Sequence, residues 1–169
     1  RPLLPSVQRL APYLARLDES RWYSNYGQLV RELEVRLSGE LGQNKVVVTT
    51  AASGVSALVG AILATAGQAS AERPYALLPA YTFIGTVSAV EQCGYIPYLV
   101  DVDPRSWCVE AEMLAGHPML PRAGLIMPVA AYGRLVEQRP WQRLRDKAGV
   151  AVVIDGAAAF ETLCDRPDV

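Results

Sequence analysis

Leu29, Leu33 and Leu37 recur at every fourth position, with Glu32 and Arg36 paired one turn apart. That stripe predicts a helix, which Gly39 and Gly42 bring to an end. Upstream, Val7, Leu10, Ala11 and Leu14 also keep helical spacing. Pro12 lies inside that segment, so it reads as a short helix starting late or as two pieces. The polar and aromatic run Ser20-Arg21-Trp22-Tyr23-Ser24-Asn25-Tyr26-Gly27 fits neither period and reads as a loop.

From Lys45 the pattern changes. Short β-branched or apolar runs at 45–49, 75–78, 96–100, 124–128 and 150–154 alternate with helical stretches near 55–66, 84–93, 110–114 and 137–147. Four of the five runs are almost wholly apolar, as in strands covered on both faces. Alternation of this kind predicts βαβ units: an α/β fold, a mostly parallel sheet with helices on both faces. The division it suggests is an N-terminal helical segment with its loop over residues 1–44, then an α/β domain over residues 45–169.

Composition narrows the function. The 169 residues are 51% hydrophobic, which excludes a disordered chain. Sixteen Lys+Arg against seventeen Asp+Glu leave no basic footprint for nucleic acid or an anionic membrane. No run of about 18 or more apolar residues predicts a membrane span. Arg-Pro-Leu-Leu-Pro at the start lacks the apolar core of a signal peptide, so a cytoplasmic protein is expected. Cys93, Cys108 and Cys164, without a C-x-x-C pair and with one histidine, make no metal set.

In open parallel sheets ligands bind at the carboxyl ends of the strands. The residues just past the predicted strands are Thr49-Thr50-Ala51-Ala52-Ser53-Gly54, Pro79-Ala80-Tyr81-Thr82-Phe83, Asp101, Tyr132-Gly133 and Asp155. The two lysines, Lys45 and Lys147, fall on the other edge. Ser53-Gly54-Val55-Ser56-Ala57-Leu58 opens a helix, and its N–H groups either seat a phosphate or are simply capped by Ser53. Asp155 ends an apolar strand with no neighbouring Arg or Lys. A buried carboxylate there either meets a ligand cation or caps the next helix. Phe83 is either core or a stacking surface for a flat ring. Taken together, an anion seat, an aromatic ring and a buried acid on one edge describe a flat, cationic, phosphorylated heterocycle.

Five segments, in order, resemble the DegT/DnrJ/EryC1/StrS family of pyridoxal-phosphate-dependent sugar aminotransferases, N-terminal part. They are Ser20–Gly27 with its following helix, Ser53–Leu58, Leu78–Thr86, Val100–Pro104 and Val153–Asp155. The resemblance implies the large domain of a fold type I transferase, truncated, with pyridoxal 5'-phosphate as cofactor. It implies that Gly54 and the backbone of Val55 and Ser56 hold the phosphate, Phe83 stacks on the ring and Asp155 pairs with the pyridinium nitrogen. Asn25 and Tyr26 would lie near the sugar. The implied reaction moves an amino group, commonly from glutamate, to a nucleotide-linked keto sugar within a homodimer.

Departures from the family pattern are Val55 for a usual Thr, Ala158 for His or Gln, and Pro128-Val129-Ala130 for P-V-H. The Schiff-base lysine, in an S-x-x-x-x-K segment beyond Asp155, is not among these residues, so the chain by itself is expected to be inactive. The alternatives are a sugar dehydratase relative using histidine in place of that lysine, and a degenerate domain that binds a nucleotide sugar or a partner without catalysis.

Overall fold

The structure, a computed structural model, describes residues 3–42 and 46–165. It divides into two compact units, Arg1–Thr50 and Ala51–Val169.

The first unit holds α1 (Val7–Ser20) and α2 (Gln28–Gly42). Pro12 does not split α1: a single helix of 14 residues runs through it. A proline there removes one hydrogen bond and crowds the carbonyl a turn back. No residue of α1 is buried, so little packing opposes the local adjustment. Arg21 ends the helix in the left-handed region, at φ 53°, and its N–H donates to Leu17 O at 2.9 Å. In α2 the expected Glu32–Arg36 pair forms, and Arg16 of α1 donates to the same carboxylate at 2.5 Å.

The predicted strand at 45–49 is not found. Lys45 lies outside the described residues, and residues 46–50 join no ladder among those described. Apolar, β-branched residues become a strand only where a neighbour takes up their backbone groups. Here side chains of α2 do part of that work. Ser38 Oγ donates to Val46 O at 2.5 Å, and Thr50 N donates to Glu34 Oε1 at 2.8 Å.

The second unit is built on four parallel strands in the order β2-β1-β3-β4. They are β1 (Tyr75–Pro79), β2 (Ile96–Val100), β3 (Ala123–Ile126) and β4 (Ala151–Val152). The helices of this unit are α3 (Gly54–Thr65), α4 (Ile84–Gln92), α5 (Ala111–Leu114), α6 (Gln138–Ala148) and α7 (Phe160–Asp165).

Alternation along the strands sends successive side chains to opposite faces. Ala76, Leu78, Leu125, Met127 and Val153 join Ile62 of α3 and Ala89 and Val90 of α4 in one core. Leu77, Ile126 and Val150 join Leu114 of α5 and Trp141 and Leu144 of α6 in the other. Both faces of β1 and β3 are therefore dry, which is why their sequences read as unbroken apolar runs, whereas the edge strand β2 leaves Ile96 and Leu99 half exposed.

The ladder between β1 and β3 carries a bulge. Tyr75 pairs with Ala123 and Ala76 with Leu125, leaving Gly124 as the extra residue. A Cβ there would lie 2.7 Å from Arg73 O and 2.8 Å from Tyr95 Cε1, and the carbonyl belongs to backbone that cannot swing aside. Gly124→Ala is accordingly expected to destabilise the domain by about 1–3 kcal/mol, read as a lower denaturation midpoint with an unchanged slope in chemical unfolding.

Candidate functional site

β1 leads through α4 to β2 on one side, whereas β3, on the other side of β1, leads through α6 to β4. The order of strands reverses between β1 and β3, and crevices form at the carboxyl ends of such a pair. Beyond the last formal ladder the chain stays paired there. Asp155 N donates to Pro128 O and Ala130 N to Asp155 O, both at 2.9 Å, in a parallel bridge with Val129.

That bridge sets the position of Asp155. Two residues after Val153, it shares the sheet face that α4 covers, and only 6% of its surface is exposed. Thr86 Oγ1, in the first turn of α4, donates to Asp155 Oδ2 at 2.7 Å, and Ala157 N donates to Oδ1 at 3.1 Å. Among the described residues no Arg or Lys pairs with this carboxylate. It does not cap the next helix either, since α7 begins only at Phe160. Its oxygens accept instead from Thr86 Oγ1 and from Ala157 N, in a local turn before the helix.

Phe83 is not core: it stands at the N-cap of α4 with 77% of its surface exposed. Behind it Gly85 is buried, and a Cβ on Gly85 would meet Phe83 Cδ1 at 3.0 Å and Val55 Cγ2 at 3.2 Å. The first turns of α3 and α4 are thus side by side, bringing Val55, Phe83 and, through Thr86, Asp155 into one neighbourhood.

At the start of α3 Ser53 does cap the helix: Ser56 N donates to Ser53 Oγ at 3.1 Å, and the two hydroxyls lie 3.0 Å apart. Among the described residues nothing accepts from the N–H groups of Gly54 or Val55. Two of the three expected phosphate donors are therefore available, and the third is engaged by the cap.

Asn25 and Tyr26 belong to the first unit. Both hold positive φ, 56° and 63°. The Tyr26 hydroxyl donates to Glu34 Oε2 at 2.6 Å, while Thr50 N and Oγ1 donate to Glu34 Oε1 at 2.8 and 2.9 Å. The hydrogen bond from Tyr26, then that from the Thr50 N–H, holds the Glu34 carboxyl below its ordinary range. The same bond to Glu34 raises the Tyr26 phenol.

Several of these residues escaped sequence reasoning. Glu34 had a signal: it shares the helical face of Val30 and Leu37, where a carboxylate needs partners. Thr82 and Thr86 lie inside Leu78–Thr86, but the sequence assigns neither a role. Trp107 lies outside all five such segments; its ring meets Tyr81 and Tyr132 with centroids 5.3 and 5.9 Å away, while the Tyr81 and Tyr132 hydroxyls bond each other. Lys147 lies in the last turn of α6, ahead of β4 and away from the crevice edge.

The family is now settled by comparison. Residues 7–165 match the model of the DegT/DnrJ/EryC1/StrS aminotransferase family, and the chain belongs to it. Its α/β architecture is that of the pyridoxal-phosphate-dependent aminotransferases among its structural neighbours. The chain is 29% identical over 163 residues to Protein Rv3402c of Mycobacterium tuberculosis, covering 95% of this chain and 39% of that protein. It is 27% identical over 159 residues to dTDP-4-amino-4,6-dideoxy-D-glucose transaminase of Escherichia coli, 94% and 41% of the two chains. Among solved structures, DesI in the presence of its TDP-sugar product superposes with a TM-score of 0.79 at 27% identity, over 95% of this chain and 39% of that one. The chain thus spans about two fifths of the length of these proteins.

Two outcomes follow from the geometry. Alanine is the better helix former, but a methyl on buried Gly85 would crowd Val55 Cγ2 at 3.2 Å, so Gly85→Ala should lower thermal stability slightly at most. Its methyl turns the exposed Phe83 ring, so affinity for a flat aromatic ligand should fall, which differential scanning fluorimetry and ligand titration together check. In the first unit, the lowered Glu34 carboxyl adds stability that is complete above the ordinary value of 4.5 and is lost as pH falls through its lower folded value. Tyr26→Phe removes the largest cause of that lowering. Acid unfolding of α2, followed by circular dichroism, should then begin at a higher pH.

Proposed function

We propose that this chain is the N-terminal part of an aminotransferase, binding pyridoxal 5'-phosphate at the carboxyl ends of β1, β3 and β4 for a whole enzyme that transfers an amino group to a nucleotide-linked keto sugar. The observation that carries the reading is Asp155: a buried carboxylate bonded by two donors, with no Arg or Lys paired to it among the described residues. A protonated ring nitrogen supplies the missing charge. The donor set fits the rest of such a molecule. Gly54 and Val55 offer N–H groups at a helix N-terminus to the phosphate, with Ser56 joining when its cap yields. Phe83 offers an exposed face to the ring.

When bound, pyridoxal phosphate supplies the electron sink for amino-group transfer. The residues of this chain would hold it: Asp155 would keep the ring nitrogen charged, Phe83 would stack on the ring, and the turn after Ser53 would hold the phosphate. Asn25 and Tyr26 are assigned to the sugar side. Glutamate is the amino donor in this reading, and the working form is a cytoplasmic homodimer. Lys147, in the last turn of α6 and away from the crevice, does not anchor the cofactor, and in this reading residues 1–169 alone bind it without catalysing transfer. The family match supports the reaction class, and the transaminase from Escherichia coli supports the class of substrate.

The experiment is a titration of the purified protein with pyridoxal 5'-phosphate, followed by absorbance. Asp155→Asn is expected to weaken binding by about tenfold or more, the worth of a hydrogen bond to a charged group. Unchanged affinity in that variant overturns the assignment.

A further inference from the structure

The geometry points to Thr86 as the positioning residue for Asp155, with Thr82 behind it; this rests on the reading of Asp155 given above. Thr86 is 1% exposed. A helical threonine commonly turns its hydroxyl back to a carbonyl one turn earlier. This one instead crosses to a strand 69 residues away, donating to Asp155 Oδ2 at 2.7 Å. An ionised carboxylate only accepts, so Thr86 spends its one proton there and its lone pairs are left to receive. Thr82 Oγ1 fills that role, donating to Thr86 Oγ1 at 2.7 Å. The order Thr82, Thr86, Asp155 is a one-way chain in which each bond polarises the next.

With Ala157 N on the other oxygen, a donor sits on each side of the carboxylate, and its plane is pinned. Each oxygen keeps a further lone pair for a guest. Phe83 and Thr86 lie three residues apart at the start of α4, so one turn carries both the stacking face and the hydroxyl that aims the acid. The two restraints on a flat, nitrogen-bearing ring therefore cannot drift apart.

The test uses two probes on the purified protein: pyridoxal 5'-phosphate and its analogue with carbon in place of the ring nitrogen. Thr86→Val keeps the side-chain shape and removes the hydroxyl. It is expected to weaken binding of the natural cofactor by about tenfold while leaving the nitrogen-free analogue nearly unaffected, and Thr86→Ser should restore most of the loss. Thr82→Val, at the head of the chain and away from the carboxylate, should give a smaller loss with the same selectivity, which keeps the idea testable if Thr86→Val fails to fold. Equal weakening of both probes, no weakening of either, or no rescue by serine overturns the proposal. If Asp155→Asn discriminates between the probes and Thr86→Val does not, only the positioning role falls. If neither variant discriminates, the reading of Asp155 falls with it.

Discussion

Everything at the candidate site depends on extending a parallel ladder past the point where regular strand ends. The pairing of Asp155 N with Pro128 O and of Ala130 N with Asp155 O holds the chain in register for three residues beyond β4. That short extension decides which face the carboxylate takes. A slip of one residue would turn Asp155 toward α6 and set Ile154 against the hydroxyl of Thr86. The cost of burying an acid is met only on the α4 side, where Thr86 waits. Register, burial and hydrogen bonding are thus one constraint seen three ways.

The same logic explains how much of this could be read from the chain. Runs such as Leu77-Leu78 and Leu125-Ile126-Met127 announce strands because both faces of the sheet are dry there, and their helices follow from period and length. Asp155, Phe83 and Ser53 stood out because each is a conspicuous residue at the end of an apolar run. What could not be read is partnership. Nothing local tells residues 46–50 that their backbone will be met by Ser38 and Glu34 rather than by a strand. Nothing local tells Thr86 that its acceptor lies 69 residues on. A threonine in the first turn of a helix is unremarkable until a carboxylate arrives beside it. Pro12 misled for a related reason: its rule describes a local cost, and an exposed helix with no packing to disturb can absorb that cost.

The departures from the family pattern fall unevenly across the site. Val55 lacks the hydroxyl of the usual threonine, yet its N–H, the group a helix terminus contributes, is still present and has no other acceptor among the described residues. Its methyl group does different work, closing on the space beside Gly85 and Phe83. Ala158 has no such compensation in its own side chain. Its carbonyl nevertheless lies 2.9 Å from where a Cβ on Gly133 would sit, so that stretch packs tightly on the turn carrying Tyr132.

The cap at Ser53 bears on how an anion could enter. Its oxygen takes the N–H of Ser56 in the way an incoming phosphate oxygen would, and the two serine hydroxyls already face each other at 3.0 Å. Seating an anion on this turn is then an exchange of acceptors rather than the creation of a new polar site. Ser56 N–H passes from a neutral hydroxyl to a charged oxygen, which is the stronger bond of the two. Ser53 Oγ, released, becomes a donor to the same anion. Gly54, with no side chain and nothing within 4 Å of where a Cβ would stand, keeps the approach to those N–H groups clear. The serine cap keeps the Ser56 N–H satisfied until an anion arrives, while the N–H groups of Gly54 and Val55, without an acceptor among the described residues, are there to receive it.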